Sequence, residues 1–502
     1  MKAIPALTAA GALLAASTAS AVAVSVAGAA SASAAPVTHA AGVFNVKTYG
    51  ATGNGKTIDT PAINKAIAAA SAASGGGIVE FPAGTYKSVS IHLMSNVTLR
   101  LDSGSTISAA SSGFDAAEPN SFSQYQDFGH SHFHDALIWG EHLTNVGFTG
   151  SGTIDGAGNL KTGSISSGQA DKAVSLAVVD GLTFSGITIK RGGHFGILLN
   201  GGNHVTVDHL TISTASDRDG FNVINTANMT VTASNIASSD DALVFKSDFA
   251  LGRTFPSTNI TVTDTTVSST GNNGLQFGSE TCGDFSDIHF SHDTVTSAGK
   301  AGIGIVSMDG AHISNITYSD ITMTHAATPI FIKIGDRGRC PGHPGAGTIS
   351  GISLTNVTGT ALSDGGSYTS TITGLPGHPV TGVTLTNVDL TVPGGDPASD
   401  ATINPPEAPT TYVPRDYGTR PSYGWWLRHV GDISFQSDKV AFSANDGRPA
   451  FDTTDGSSVS LNNVVVERGT GSPYDVGFTS SPGESVTNSS TTTGAALRVH
   501  VS

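Results

Sequence analysis

The sequence predicts an all-β protein, a right-handed parallel β-helix, on three observations. Glycine accounts for 62 of 502 residues and charged residues for 13%, a composition typical of β-rich secreted proteins. Short alternating segments separated by Gly, Asn, Asp or Ser indicate strands and turns. A turn residue followed by apolar, Thr-like and apolar residues recurs every 24 to 36 residues. A propeller blade would need about forty or more residues, so this period favours the coils of a β-helix.

The segment before the repeats predicts export. Lys2 precedes an Ala-rich, almost uncharged run, and residues 32–34 (Ala-Ser-Ala) match a signal-peptidase site. We therefore expect residues 1–34 to be a signal peptide and the mature protein to be a secreted, extracellular monomer. No later run is long or apolar enough to span a bilayer, so no membrane association is expected.

The rest of the chain divides into a cap, a stack of coils and a tail. Apolar residues of 61–73 recur at helical spacing, which predicts a short N-terminal capping helix over the open edge of the first coil. Residues 35–466 are predicted to form the β-helix. Its equivalent apolar positions, expected to stack on one another, are Val205, Met229, Ile260, Ile288, Ile316, Ile352 and Val383. Residues 467–502, rich in Ser, Thr and Gly, predict a closing strand at 496–501 and a tail.

Charge and cysteine content narrow the range of partners. The net charge of −15 argues against nucleic acid, which proteins bind through Lys and Arg. An anionic polymer would have to be held by a few local cations. The two cysteines, Cys282 and Cys340, are predicted to form a disulfide in an oxidising compartment, with two unrelated thiols as the alternative.

Three acidic residues mark the candidate site. Asp219 begins an apolar segment, and Asp240 and Asp241 precede a similar segment about one coil later. Because residues one repeat apart stack in a β-helix, we expect the three carboxylates to converge in one groove. Clustering raises at least one carboxyl pKa, which suits a general acid, while an ionised neighbour can activate water. Ordinary turn residues are the alternative, but Lys246 on the following strand favours a functional site.

Over most of its mature length the chain resembles glycoside hydrolase family 28, the polygalacturonase family. The family's Asn-Thr-Asp corresponds to residues 217–219 (Asp-Arg-Asp), and its Gly-Asp-Asp to residues 239–241 (Ser-Asp-Asp). Similar family segments begin at residues 44 (FNVKTYGA), 75 (GGGIVEFPAGTY) and 150 (GSGTIDG). The resemblance implies inverting hydrolysis of α-linked galacturonic acid in pectin without cofactor or metal. It also implies that Asp240 is the general acid and that Asp219 and Asp241 hold the attacking water.

Two family motifs are missing. Gly-His-Gly should fall at residues 271–274, which contain no histidine, and Arg-Ile-Lys at residues 304–306, which contain no basic residue. Segments that begin at residues 127 (DFGHSH), 192 (GGHF), 278 (GSE) and 423 (YGWWLRHV) resemble bacterial members of the family that are exo-acting or directed at rhamnogalacturonan. Other residues would then have to bind the sugar. The candidates are Lys246 first, then Lys333 and Arg337, with His194, Asn273 and Glu280 as further groove residues.

Two more segments carry expectations. His130, His132 and His134 alternate as metal ligands on a strand can, but one strand gives a poor tetrahedron. We therefore expect no metal there, and hydrogen bonds to sugar hydroxyls instead. The aromatic-rich interval 404–428 is expected either to close one end of the groove, which favours exo action, or to cover apolar coil surface.

Two other functions fit the same fold. A pectate lyase would need acidic calcium ligands and an arginine base, and the three water-activating acids argue against it. A non-catalytic β-helix that binds polysaccharide fits the two missing motifs, but it would have little reason to keep all three acids. The sequence therefore predicts a secreted glycoside hydrolase whose partner is a pectic polysaccharide.

Overall fold

The computed structural model describes residues 42–125, 133–214, 216–362 and 368–502. The predicted signal peptide lies outside these residues, as do His130 and His132. Every pairing between the strands given below is parallel, and consecutive coils stack through these pairings. The chain is therefore the right-handed parallel β-helix that the sequence predicts.

The strands of the N-terminal half are β1 (Gly42–Asn45), β2 (Asn54–Ile58), β3 (Gly77–Phe81), β4 (Gly84–Ser88), β5 (Ile91–His92), β6 (Val97–Leu101), β7 (Ser105–Ala109), β8 (Ala136–Gly150), β9 (Thr153–Asp155), β10 (Lys172–Ser185), β11 (Thr188–Lys190), β12 (Phe195–Asp208), β13 (Thr211–Thr214), β14 (Asp219–Ile224), β15 (Ala227–Thr232), β16 (Asn235–Ser238) and β17 (Leu243–Ser247). Those of the C-terminal half are β18 (Ser257–Thr263), β19 (Thr266–Ser269), β20 (Leu275–Thr281), β21 (Phe285–Ser291), β22 (Thr294–Ser307), β23 (His312–Ile334), β24 (Thr348–Ala361), β25 (Ser370–Thr373), β26 (Val380–Gly394), β27 (Trp425–Gln436), β28 (Lys439–Ala444), β29 (Phe451–Asn462), β30 (Val465–Val466), β31 (Val476–Thr479), β32 (Ser485–Thr487), β33 (Ser490–Thr491) and β34 (Val499–Val501). The helices are α1 (Thr60–Ala72) and three short 3-10 helices, Val46–Tyr49, Ala398–Thr402 and Pro414–Tyr417.

The apolar positions that repeat in the sequence are paired with one another in neighbouring coils. The seven positions form six consecutive pairs across neighbouring coils, in the order Val205, Met229, Ile260, Ile288, Ile316, Ile352 and Val383. Aromatic rings inside the stack follow the same spacing, as where Phe290 lies on Tyr318 with ring centres 4.4 Å apart. The interior is therefore one continuous apolar core built from equivalent residues of successive coils.

The recurring turn residue has its own structural reason. Asn228 and Asn259 have φ angles of 54° and 55°, in the left-handed region that Asn adopts more readily than most residues. The Asn259 amide donates to Asn228 Oδ1 at 2.7 Å, and Asn228 donates to Asn203 at 2.8 Å. Each of these asparagines thus donates a side-chain hydrogen bond to the asparagine at the equivalent turn of the preceding coil.

Both ends of the stack are covered by the chain. Helix α1 contacts β1 and β3 of the first coil and buries Ile63, Ile67 and Ala70, as the sequence predicts. At the other end β31 pairs with β29, and β34 pairs with β31, so residues 467–502 add to the stack. Within the described segments, no helix is both long and apolar enough to cross a membrane.

A disulfide joins two neighbouring loops. Cys282 follows β20 and is bonded to Cys340 in the loop after β23, with Cα atoms 5.6 Å apart. The bond fixes the loop that carries Arg337 and Arg339 beside the strand that ends near Glu280.

Candidate active site

The candidate site lies where β14 and β17 begin. Asp219 is the first residue of β14, and the register of β14 with β17 places it beside Asp241. The Gly220 N–H donates to the Asp241 carbonyl at 2.8 Å. A Cβ at position 220 would lie 2.6 Å from the Ala242 carbonyl oxygen, so only glycine permits this approach of the two coils. The two acids predicted to be one coil apart are adjacent.

Lys246 is the electrostatic centre of the site. Its ammonium lies 3.3 Å from Asp241 Oδ2, 4.0 Å from Asp219 Oδ2 and 3.5 Å from Glu280 Oε2. All four side chains are buried. Burial favours the neutral amine, but the three carboxylates outweigh it and hold the pKa of Lys246 well above its usual value.

Two of the three aspartates have raised pKa values. Burial, with repulsion from neighbouring carboxylates, raises the pKa of Asp219 to about 7 and that of Asp241 to about 6, and Lys246 opposes both shifts. Asp219 Oδ2 accepts a hydrogen bond from Asn222 at 2.9 Å, whereas its buried Oδ1 has no partner in the described part of the chain. Burial and mutual repulsion thus favour the protonated form of Asp219 and Asp241 relative to an exposed aspartate.

Asp240 has the opposite electrostatic environment. Its side chain is 27% exposed to the groove, and its carboxylate accepts hydrogen bonds from Arg218 at 2.7 Å and from Asn272. Burial would raise the pKa of Asp240, but the bonds from Asn272 and Arg218 outweigh it and lower that pKa. The local charges thus favour the ionised form of the residue that the resemblance implies to be the general acid.

Amides occupy the region where the missing histidine would fall. Gln276 donates from Nε2 to Asp241 Oδ1 at 3.0 Å. Asn273, predicted to bind substrate, is buried and donates instead to Gln276 Oε1, and its own Oδ1 accepts the Ala301 N–H at 2.8 Å. Asn273 therefore orients Gln276 and does not line the cavity.

The structure gives Lys333 and Arg337 other partners than the predicted sugar carboxylate. Lys333 is fully buried and donates to the Tyr417 hydroxyl. Arg337 forms an ion pair with Asp309 and donates to the Ser279 carbonyl at 2.6 Å. Lys333 lies under the 404–428 segment, and Arg337 supports the strand end that carries Glu280, so neither lines the cavity.

A cavity of about 170 Å³ lies over the aspartates. It is lined by His194, Phe195, Arg218, Asp219, Asp240, Asp241, Lys246, Asn272, Ser279, Glu280, Lys300 and Tyr412. Arg218, Asn272, Lys300 and Tyr412 were not among the predicted site residues. Coil register is the signal that would have found Lys300, because its N–H donates to the Asn272 carbonyl at 3.0 Å, one coil further on.

The 404–428 segment covers apolar coil surface, one of its two alternative predictions, and also reaches the cavity. Tyr417 and Trp426 are buried against each other and against Phe331, so part of the segment covers apolar coil surface. Tyr412 instead lines the cavity, and its ring lies 4.8 Å from the Lys300 ammonium. The segment therefore also forms a wall on the C-terminal side of the aspartates.

The groove continues on the N-terminal side. A second cavity of about 520 Å³ shares His194 with the first. Its buried Lys172 contacts Asp135 at 2.8 Å and Asp171 at 2.5 Å. His134, predicted to contact sugar, stacks on Trp139 and hydrogen-bonds Glu141 at 2.8 Å, so its ring is held within the fold.

Solved structures of similar shape include both enzymes and a binding protein. The family 28 exopolygalacturonase of Yersinia enterocolitica superimposes with a TM-score of 0.57 at 19% identity, covering 82% of this chain and 79% of the other. The surface adhesin PfbA of Streptococcus pneumoniae superimposes with a TM-score of 0.53 at 17% identity, covering 80% and 92%. Similarity of shape therefore establishes the β-helix and leaves the activity to the sequence relatives.

Several of the sequence relatives are named as polygalacturonases or xylogalacturonan hydrolases. An exopolygalacturonase of Zea mays is 25% identical over 70% of this chain and 84% of the relative. Endo-xylogalacturonan hydrolase A of Aspergillus tubingensis is 26% identical over 69% of this chain and 84% of the relative. The model of glycosyl hydrolases family 28 matches residues 81–411, which contain every predicted catalytic residue. The chain belongs to family 28 of the glycosyl hydrolases and is a glycoside hydrolase.

Proposed function

We propose that this hydrolase is secreted and cleaves α-linked galacturonic acid in pectin with inversion, acting from a chain end. The observation that carries the proposal is the convergence of Asp219, Asp240 and Asp241 around Lys246 in one cavity. Like charges at this density are costly unless the chemistry uses them. Inverting hydrolysis needs one carboxyl group as general acid and a second one to activate water, and this cavity supplies three.

The three aspartates would take two different roles in the reaction. Asp219 and Asp241 lie deepest, beside Lys246, and would orient the water and accept its proton. Asp240 is the most exposed of the three and would donate a proton to the leaving oxygen, the role that the resemblance implies. A sugar over Asp240 would exclude water from it, and this desolvation would raise its pKa against the effect of Arg218.

Action from a chain end is supported by the asymmetry of the groove. On the C-terminal side, Tyr412 stands against Lys300, and the next coils are covered by Tyr417 and Trp426. On the N-terminal side, the cavity around Lys172 continues the groove. A polymer would thus extend to one side of the aspartates only.

The test is sugar release from polygalacturonate and from rhamnogalacturonan by the wild type, Asp240→Asn and Asp180→Asn. Asp180 is 60% exposed on the surface and serves as the control. We expect the wild type to release monomeric galacturonate with inverted anomeric configuration by NMR. Asp240→Asn should lose roughly 100- to 10,000-fold in kcat, and Asp180→Asn should not.

Other products would contradict the proposal. A ladder of oligomers would exclude action from a chain end. Unsaturated products that absorb in the ultraviolet would identify a lyase. Binding of polymer without any release would identify a binding protein.

A further inference from the structure

Most cations near the cavity already have protein partners. Lys246 is shared among three carboxylates, and Arg218 is paired with Asp240 at 2.7 Å. Arg339 lies 3.4 Å from Glu280, and Arg337 is bound to Asp309. A sugar carboxylate that entered the cavity would have to compete with these internal anions for each of the four.

Lys300 is different. It lines the cavity, and its ammonium makes no hydrogen bond or ion pair with any residue in the described segments. Its nearest described contact is the face of Tyr412, 4.8 Å from the ring centre. The side chain is partly buried, and burial lowers the pKa of Lys300, although Asp241 and Asp240 oppose that shift. A partly desolvated ammonium without a counter-ion is costly, and a ligand anion would remove that cost.

The position of Lys300 matches a sugar beside the cleavage point. Asn272 contacts Asp240, and Lys300 is one coil beyond Asn272. Two coil spacings of about 4.8 Å separate the Lys300 backbone from that of Asp240. Residues 304–306, where the family's Arg-Ile-Lys is missing, lie in β22 only a few residues after Lys300, which belongs to the same strand.

We propose that Lys300 is a specificity-determining residue that binds the carboxylate of the uronic acid on the Tyr412 side of the cleavage point. The Tyr412 ring holds the Lys300 ammonium toward the cavity. The carboxylate of the sugar then acts as its counter-ion. This assignment rests on the proposed pectin-directed activity, and it predicts that an uncharged sugar gains nothing from Lys300.

The test compares Lys300→Met, Lys300→Arg and Lys56→Met with the wild type. Lys56 is exposed and controls for the loss of one positive charge. Calorimetry measures binding of digalacturonate and of its carboxyl-reduced, neutral counterpart, with every protein carrying Asp240→Asn so that the ligand is not hydrolysed. Kinetics on oligogalacturonides, with Asp240 intact, measure KM and kcat. We expect Lys300→Met to weaken digalacturonate binding and raise KM roughly 10- to 100-fold, the usual value of a hydrogen bond between charged groups. Lys300→Arg should restore most of the binding, and the neutral disaccharide should bind the wild type and Lys300→Met equally.

The outcomes separate this assignment from the proposed function. Hydrolysis of oligogalacturonides with a KM and binding unchanged in Lys300→Met would overturn the role of Lys300 alone. Lys300-dependent binding of digalacturonate without hydrolysis would support the assignment and overturn the hydrolase proposal. Neither binding nor hydrolysis of any galacturonide would overturn both. Equal losses for the acidic and the neutral disaccharide would assign Lys300 a structural role instead.

Discussion

At the scale of single residues, Arg218 is the departure that bears most directly on catalysis. It occupies the middle of the segment that corresponds to the family's Asn-Thr-Asp, and its guanidinium contacts Asp240 at 2.7 Å. Together with Asn272 it lowers the pKa of Asp240. A general acid must be protonated to act, so this pair sets the upper pH limit of activity if Asp240 is the donor.

Arg218→Thr tests that link. Removing the guanidinium removes stabilisation of the ionised carboxylate, so the pKa of Asp240 should rise. The alkaline limb of kcat/KM against pH should therefore move to higher pH, by roughly one unit for a half-exposed pair. Arg191→Thr is the matched control, because Arg191 forms a similar pair with Asp155 on the preceding coil.

If the alkaline limb of kcat/KM against pH does not move in Arg218→Thr, Asp240 is not the group that donates the catalytic proton. The Asp219 and Asp241 pair, whose pKa values are about 7 and 6, would then hold the catalytic proton. A substrate whose leaving group needs no proton, such as a galacturonosyl fluoride, separates the roles further. It should restore the activity of the variant that lacks the true acid.

Some site residues can be located from the spacing of the repeat, whereas others depend on contacts between distant parts of the chain. Asp219 and Asp241 could be predicted, because their positions follow from chain spacing within one repeat. The position of Lys333 outside the cavity could not be read from the sequence, because its partner Tyr417 lies 84 residues further along the chain. Lys300 was missed because nothing in its local sequence differs from an ordinary surface lysine.

At the scale of elements, the segment around Tyr412 decides where a polymer can lie. Its ring stands on the C-terminal side of the cavity, stacked on Lys300. Tyr412→Ala should open this side, so that products shift from monomer toward a mixed set of oligomers. Tyr412→Phe, which keeps the ring, should leave the product pattern unchanged. Size-resolved chromatography of the digest measures both, and monomer alone from Tyr412→Ala would show that the wall lies elsewhere.

The disulfide is the second element that shapes the site. Cys282 lies two residues after Glu280, and Cys340 directly follows Arg339, so the bond holds the arginine loop beside the site. Replacing both cysteines with alanine should lower the free energy of unfolding by about 2–4 kcal/mol. Urea denaturation with and without reductant measures the loss. Reductant should destabilise the wild type to the level of the variant, and equal midpoints in all samples would refute the stabilising role.

At the scale of the whole molecule, the sequence was most informative about the stack. A repeat of apolar positions becomes the strand register because each coil must bury the same face against its neighbours. The segments that cover the groove carry no such repeat, because each contacts a particular stretch of coil surface only once. Fold class could therefore be predicted from the sequence, whereas the particular residues of these segments that line the site could not.

Carboxyl groups with raised pKa values and carboxyl groups with lowered pKa values together set the pH range in which the fold is most stable. Burial is the main cause of raised pKa values at Asp171, Asp219, Asp241, Asp293, Asp438 and Asp452, each to about 6 or 7. Hydrogen bonds and ion pairs lower the pKa of Glu141, Asp155, Asp240, Asp287 and Asp475. The first group stabilises the fold when protonated, and that contribution is lost as pH rises from about 4 through 7. The second stabilises it when ionised and loses its contribution as pH falls below about 4, so stability should be greatest near pH 4.

Asp293 allows this balance to be tested away from the site. One of its oxygens accepts the Thr265 N–H at 2.8 Å, and the other is buried without a partner in the described residues. Its pKa is raised to about 7, so ionisation of this group costs the fold at most about 4 kcal/mol between pH 4 and 8. Asp293→Asn keeps an acceptor for Thr265 but cannot ionise. The variant should be less stable than the wild type at pH 4 and lose less stability than the wild type on going to pH 8.

Thermal unfolding across this pH range measures the difference in slope. Asp432→Asn, at an exposed position far along the chain from Asp293, is the control and should follow the wild-type curve. Parallel curves for the wild type and Asp293→Asn would show that this carboxyl is already ionised at pH 4 in the folded protein. The pH dependence would then have to come from the other carboxyl groups with raised pKa values. Of these, Asp219 and Asp241 line the cavity over the aspartates. The same thermal unfolding series on Asp241→Asn would separate the pH dependence that arises in the site from that of the rest of the stack.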